Sequence, residues 1–191
     1  MKLSAAELEA AFSGLLRTLG RGFDEANVPW MVVGGLAVSA WTEPRGTKDC
    51  DLALLLPEDA RAVETLLRDA GVRIARGELA TARQGGVVRG QYHPEGQPRL
   101  VVDLLCGGTD FERSALARRE RAQVLGVDAW LVSADDLLIY KLIAARPQDL
   151  ADVDRLIRFG RAPADMAYVQ RWVGEWELED RLAQALEAAR R

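Results

Sequence analysis

The chain of 191 residues, 49% hydrophobic and 28% charged, is long enough to bury a core, either as one domain of ordinary size or as a domain with a small helical appendage. A formal net charge of −4 gives no global electrostatic drive toward nucleic acid, and the longest apolar runs, residues 30–40 and 52–56, are too short to span a bilayer. Its two cysteines, Cys50 and Cys106, lie in apolar strand-like runs without Cys-x-x-Cys spacing, which reads as two buried thiols and excludes a disulfide framework.

In chain order, Ser4 followed by Glu7 is a capping box for an amphipathic helix running to about Glu25, ended by Asn27 and Pro29. Acids in the first ten residues stand where a secretory signal would be apolar, so a cytoplasmic protein with no membrane partner is expected. Trp30 to Val33 reads as a short strand, broken by Gly34-Gly35 and followed by a helix from Leu36 to Trp41. A loop over residues 43–46 leads to a strand from Asp49 to Leu56, and Pro57 is placed to open a helix to about Ala70, closed by Gly71. The stretch from Val72 to Tyr92, rich in Gly, Arg and Thr, predicts two or three short strands, and Arg99 to Leu105 a further one, ended by Gly107-Gly108. A helix from Asp110 to Arg119 and short strands near Val124 and Trp130 precede Ser133-Ala-Asp-Asp136, a second capping box, and helices follow nearly to the end. This divides the chain into an α/β core over residues 1–130 and a C-terminal helical segment over 131–191 packed on it.

The chemistry gathers around acids in apolar strands. Asp49 and Asp51 alternate along one strand, so their carboxylates share a face roughly 6–7 Å apart, an arrangement that suits a hard cation such as magnesium between them. Asp103 has the same apolar–acid–apolar setting in another strand, and a mid-strand acid is costly unless it is metal-bound or paired, here with an arginine such as Arg45 or Arg99. Gly34-Gly35 at a strand-to-helix turn lets backbone approach phosphate oxygens at a helix N-terminus, although neither a Walker A loop nor the dinucleotide glycine pattern is present. The only histidine, His93, sits in a turn-like segment and leaves little for a histidine triad or a zinc site. Arginines cluster at 113, 118, 119 and 121, and again at 158 and 161; each cluster reads as a solvated helix face or as a local patch for RNA. Trp172 and Trp176, at helical spacing, read as packing residues or as cover for a partner.

The run Val33-Gly34-Gly35-Leu36-Ala37, then Pro44-Arg45-Gly46-Thr47-Lys48-Asp49-Cys50-Asp51-Leu52, then Val102-Asp103-Leu104, resembles the nucleotidyltransferase superfamily that includes DNA polymerase β. The Arg-x-Thr-x-Asp-x-Asp form, with Asp135-Asp136-Leu-Leu-x-x-Lys141, Arg146 and Asp149-Leu150-x-Asp152 downstream, looks most like the branch holding abortive-infection toxins. The resemblance implies an α/β fold with a small mixed β-sheet flanked by helices, and transfer of a nucleoside monophosphate from a nucleoside triphosphate to a hydroxyl, with pyrophosphate leaving. It implies two Mg2+ ions on Asp49, Asp51 and Asp103, with Asp103 also helping to deprotonate the acceptor. Gly34 and Gly35 would cradle the β- and γ-phosphates. Lys141 would reach the triphosphate or snorkel on a half-buried helix, and Arg45, Thr47 and Lys48 would touch phosphate or shape the turn. Asp149 or Asp152 would organise the site or simply form a polar helix face. The acceptor would be RNA such as tRNA, or a protein, with a cognate antitoxin as partner. An antibiotic-modifying enzyme and a non-catalytic nucleotide-binding module of the same fold are the alternatives.

Overall fold

A computed structural model describes residues 4–93 and 99–190. The first helix, α1 (Ala5–Glu25), starts at a complete capping box: Ser4 Oγ accepts the Glu7 N–H, and the Glu7 carboxylate accepts the Ser4 N–H at 2.9 Å. Its buried Phe12, Leu15, Leu16, Leu19 and Phe23 recur at helical spacing and form one apolar stripe. Asn27, in left-handed backbone, turns the chain into β1 (Trp30–Val32), and the Trp30 indole N–H ties back to Asp24 at 2.8 Å.

The elements that follow are α2 (Gly34–Trp41), β2 (Asp49–Leu54), α3 (Arg61–Asp69), β3 (Val72–Arg73), α4 (Glu78–Ala82), β4 (Gly86–Tyr92) and β5 (Leu100–Cys106). After them come α5 (Asp110–Ala117), β6 (Glu120–Val124), β7 (Val127–Leu131), α6 (Ala134–Ala144), α7 (Pro147–Arg158), α8 (Met166–Glu175) and α9 (Glu179–Ala189). The strands form one seven-stranded sheet in the order β3-β4-β5-β2-β1-β7-β6. It is mixed: β1 runs parallel to β7 and β2 parallel to β5, while the other neighbours are antiparallel. The fold class is therefore α/β with a mixed sheet and terminal helices, as the sequence predicts.

One helix start differs from the sequence reading. The helix expected to open at Pro57 begins at Arg61, because the Asp59 carboxylate accepts the Arg61 N–H at 3.0 Å and fixes the start there. Over residues 72–92 the strands β3 and β4 form as expected, and between them the short α4 follows left-handed Gly77 and buries Leu79 and Ala82 three residues apart on one side.

Alternation in the central strands divides the sheet into an apolar face and a polar one. Cys50, Leu52 and Leu54 of β2 and Val102, Leu104 and Cys106 of β5 are all 0% exposed, whereas Asp49, Asp51 and Asp103 belong to the opposite face. The buried thiols match expectation, and burial pushes the Cys106 thiol up to about 11. The apolar core continues through Leu137, Leu138 and Leu142 of α6 to Val153 and Leu156 of α7, and α2 packs on both helices. Among the described residues no helix is long and apolar enough to cross a membrane.

Candidate active site

Register gathers the acids. In the parallel β2–β5 pair Asp51 stands beside Asp103, and Asp49 lies two residues along β2 on the same face. The next strand places Arg89 opposite Asp103 in the antiparallel β4–β5 pair. A single row across the sheet thus reads Arg89, Asp103, Asp51, and the chain end of β1 completes it where the Val33 N–H donates to the Asp51 carbonyl at 3.0 Å.

Gly34 follows at once in left-handed backbone, φ +63°, and opens α2, whose N-cap Val33 offers no side-chain acceptor. The Asp51 carboxylate is pressed against this glycine: an ideal Cβ there would overlap Asp51 Oδ2 and lie 2.5 Å from its Cγ. Any other residue would displace the acid, so Gly34 is required by contact as well as by conformation. Burial raises the Asp51 carboxyl above its ordinary range; the Gly35 backbone amide works against this, and the Asp103 and Asp49 charges add to it. Among the described residues Asp49 and Asp51 make no ion pair with any lysine or arginine.

Asp103 differs. Both its oxygens are taken by Arg89, Nε donating to Oδ1 at 2.8 Å and Nη2 to Oδ2 at 2.7 Å, in a side-on bidentate pair. The partner is thus Arg89, and neither Arg45 nor Arg99. The acids hold the Arg89 guanidinium above its usual value, chiefly through the hydrogen bonds from Asp103.

A second charged network backs the glycine turn. The buried Lys141 amine lies 2.9 Å from both Asp149 Oδ1 and Asp152 Oδ2, whose side chains are 2% and 0% exposed. Arg146 closes on Asp149 at 2.6 Å, and Arg45 reaches Asp152 at 2.8 Å. Burial works to raise the Asp149 carboxyl but is outweighed by the hydrogen bonds from Arg146 and Lys141, so it sits below its ordinary range. Arg45 thereby ties the loop before β2 to α7, and Thr47 folds that loop by donating to the Asp49 carbonyl at 3.1 Å. Lys48 is exposed on the same loop and does not line the cleft.

An open cleft of about 470 Å3, a size suited to a small ligand, lies between the polar face of the sheet and helices α5 to α7; of the predicted site residues, Asp49, Gly35, Arg45 and Thr47 do not line it. Gly34, Asp51, Asp103, Arg89, Lys141 and Arg146 line its charged end. Val87, Leu105, Phe111, Ile143 and Trp176 form an apolar wall, with Val87 63% and Trp176 42% exposed. Tyr140, on that wall, has a hydroxyl that is buried and without a hydrogen-bond partner. Sequence reasoning missed Arg89, Tyr140 and Val87; for Arg89 the signal lies in Val87-Val88-Arg89-Gly90-Gln91, where alternation puts an arginine on the acid face of a strand.

The arginine clusters lie elsewhere. Arg113 is bound to Asp110 at 2.8 Å, Arg118 stacks on Tyr168 and pairs with Asp136, Arg119 and Arg121 stack on Trp130, and Arg158 pairs with Asp154. None of them lines the cleft. The expected second capping box is half formed: Ser133 Oγ accepts the Asp136 N–H, but the Asp136 carboxylate takes Ser133 Oγ, Tyr168 and Arg118 in place of the cap backbone.

No protein-family model matches the sequence, and no curated protein matches it. Solved structures do match. An antigenic nucleotidyltransferase-like protein from Paracoccidioides brasiliensis superposes with a TM-score of 0.54 at 19% identity, over 97% of this chain and 94% of that one. The antibiotic-resistance factor ANT(2'')-Ia superposes with a TM-score of 0.59 at 14% identity, over 92% of this chain and 96% of that one. A second structure of ANT(2'')-Ia, in complex with adenylyl-2''-tobramycin, gives a TM-score of 0.51 at 16% identity, over 94% and 97%. The chain has the nucleotidyltransferase fold, over nearly its whole length.

Proposed function

We propose that the protein is a magnesium-dependent nucleotidyltransferase that moves a nucleoside monophosphate from a nucleoside triphosphate to a hydroxyl. The observation that carries this reading is the packing of the Asp51 carboxylate, which no lysine or arginine pairs, against left-handed Gly34 at the start of α2, with Asp49 and Asp103 on the same face. A glycine turn at a helix start and a row of acids thus adjoin, which supports a site for phosphate and metal.

The donor set fits a hard divalent cation. Asp49 and Asp51 offer oxygen ligands with no protein cation of their own, and burial beside two like charges is relieved by a metal. Among the described residues no three acid, histidine or cysteine side chains are gathered closely enough to hold a metal ion as they stand, and Asp103 is held by Arg89. Asp49, Asp51 and, once free of Arg89, Asp103 would hold the Mg2+ ions. Held by these acids, such ions would supply charge neutralisation at the α-phosphorus and the leaving pyrophosphate. The chain's own part is to orient. The N–H of Gly34 at the start of α2 would receive phosphate, while that of Gly35 holds the Asp51 carboxylate; Lys141 and Arg146 bring positive charge to that end of the cleft, and Arg45 fixes the loop entering β2. Asp103 accepts the proton of the attacking hydroxyl as its oxygen bonds to the α-phosphorus and the bond to pyrophosphate breaks.

The toxin-like form of the motif supports RNA or protein as acceptor, with an antitoxin as partner. The apolar wall of Val87, Phe111, Ile143 and Trp176, together with arginine clusters turned away from the cleft, favours a second reading, a small hydroxyl compound with an apolar face. The test is incubation with each α-labelled nucleoside triphosphate and Mg2+, alone and with total RNA, cell extract or a panel of aminoglycosides and lincosamides. Label transfer lost in Asp51→Asn and Asp103→Asn establishes the reaction, and the labelled acceptor identifies its class. Magnesium-dependent nucleotide binding without any transfer would refute catalysis and leave a nucleotide-binding module.

A further inference from the structure

Of the three acids, Asp103 alone has a cation of its own. Arg89 is not buried with it: the arginine side chain is 69% exposed and the aspartate 10%. The pair consequently has one fixed member and one that can leave for solvent by rotating its own side chain. A guanidinium keeps its charge at every pH in which the protein is folded, so the two oxygens of Asp103 are released only by movement. While Arg89 is in place, both oxygens are spoken for, and the acid row presents two carboxylates without a protein cation, Asp49 and Asp51.

We propose that Arg89 is a latch on Asp103, occupying the third acid until a divalent cation entering with the nucleoside triphosphate displaces it. Arg89 is then a positioning residue. It stabilises the acid row in the absence of metal, and it opposes metal binding in the absence of nucleotide. The proposal rests on the metal-dependent reading above and deepens it by assigning the state of the site before substrate arrives. A guanidinium on the acid row can stand in for a cation, offsetting one of the three carboxylates that share this face.

The experiment measures Mn2+ binding to nucleotide-free protein through the EPR signal of free Mn2+. Wild type is compared with Arg89→Met, Arg89→Lys, Asp103→Asn and the Arg89→Met/Asp103→Asn double variant. Arg89→Met is expected to bind Mn2+ about fivefold more tightly than wild type, the modest factor reflecting an exposed arginine in a bidentate pair. Arg89→Lys, which keeps the charge and loses the fork, falls between them, and Arg89→Met adds nothing in the Asp103→Asn background. Unchanged or weaker binding in both Arg89→Met and Arg89→Lys overturns the latch while leaving the metal site standing. If wild type retains no Mn2+ even with nucleoside triphosphate, and the Arg89 variants behave alike, the metal-dependent reading falls and the latch with it.

Discussion

Replacing Gly34 with alanine tests the link between the turn and the acids more directly than removing an acid would. Two costs are visible. The backbone at φ +63° is left-handed, which costs an L-residue roughly 1–2 kcal/mol. The added Cβ also overlaps the Asp51 carboxylate and lies 2.5 Å from Cγ and 2.7 Å from Cβ of that residue, too close to be relieved without moving the backbone of β2 or α2. Together these amount to about 3 kcal/mol, or a fall in Tm of roughly 6–12 °C for a chain of this length. Gly35→Ala is the internal comparison. Gly35 has no left-handed backbone, and its Cβ would meet the ends of side chains, Thr47 Oγ1 at 2.7 Å and Arg45 Nη2 at 3.1 Å, so about 1 kcal/mol suffices. Urea unfolding of the two variants in metal-free buffer reads both numbers, and nucleotide binding is expected to be lost in Gly34→Ala at temperatures where it remains folded. A Gly34→Ala protein as stable as wild type, or less affected than Gly35→Ala, would refute the contact between the glycine turn and Asp51.

Lys141→Met leaves Asp149 and Asp152 buried without their shared amine but with Arg146 and Arg45 still in place, so a loss of about 3 kcal/mol in urea unfolding is expected, at the lower end for a broken buried pair. A loss under 1 kcal/mol would mean that the amine is not needed by those acids. Asp51→Asn is expected to raise Tm in metal-free buffer at neutral pH. Because the folded carboxyl titrates above the unfolded one, wild type is at its relative best below the unfolded pKa and loses that contribution as pH rises through the folded value; the gain of the variant therefore vanishes in acid and is full above the raised pKa. Adding Mg2+ and nucleoside triphosphate should reverse the order, stabilising wild type only. A variant less stable than wild type at neutral pH without metal would contradict the burial of an unpaired charge.

What the sequence could reveal follows from the range over which its signals act. The Ser4–Glu7 box, the break at Gly34-Gly35, and the alternation that sets Asp49 and Asp51 apart from Cys50 and Leu52 are encoded within a few residues, and the structure reproduces them at those positions. The start of α3 went astray for an equally local reason, since the Asp59 carboxylate outweighs Pro57 as a start signal. The partners of the acids are a different matter. Arg89 meets Asp103 across a strand pair 14 residues apart in sequence, and Arg45 meets Asp152 across 107. No periodicity specifies either meeting; each exists only once the sheet register and the docking of α7 are settled.

The same distinction bears on how the site works. The acids and the glycine turn lie on the most deeply anchored strands of the sheet, beside residues that are wholly buried, so their positions cannot drift independently of the core. The cations differ in freedom: Lys141 is 8% and Arg45 16% exposed, fixed behind the turn, while Arg89 is 69% and Arg146 75% exposed, both on the cleft. A carboxylate row on a rigid sheet needs neutralising charge in every state, with or without a metal and nucleotide. Exposed arginines can supply that charge and then leave, at little cost in packing. Buried ones cannot leave, and they serve instead to keep the loop and helices in register with the acids.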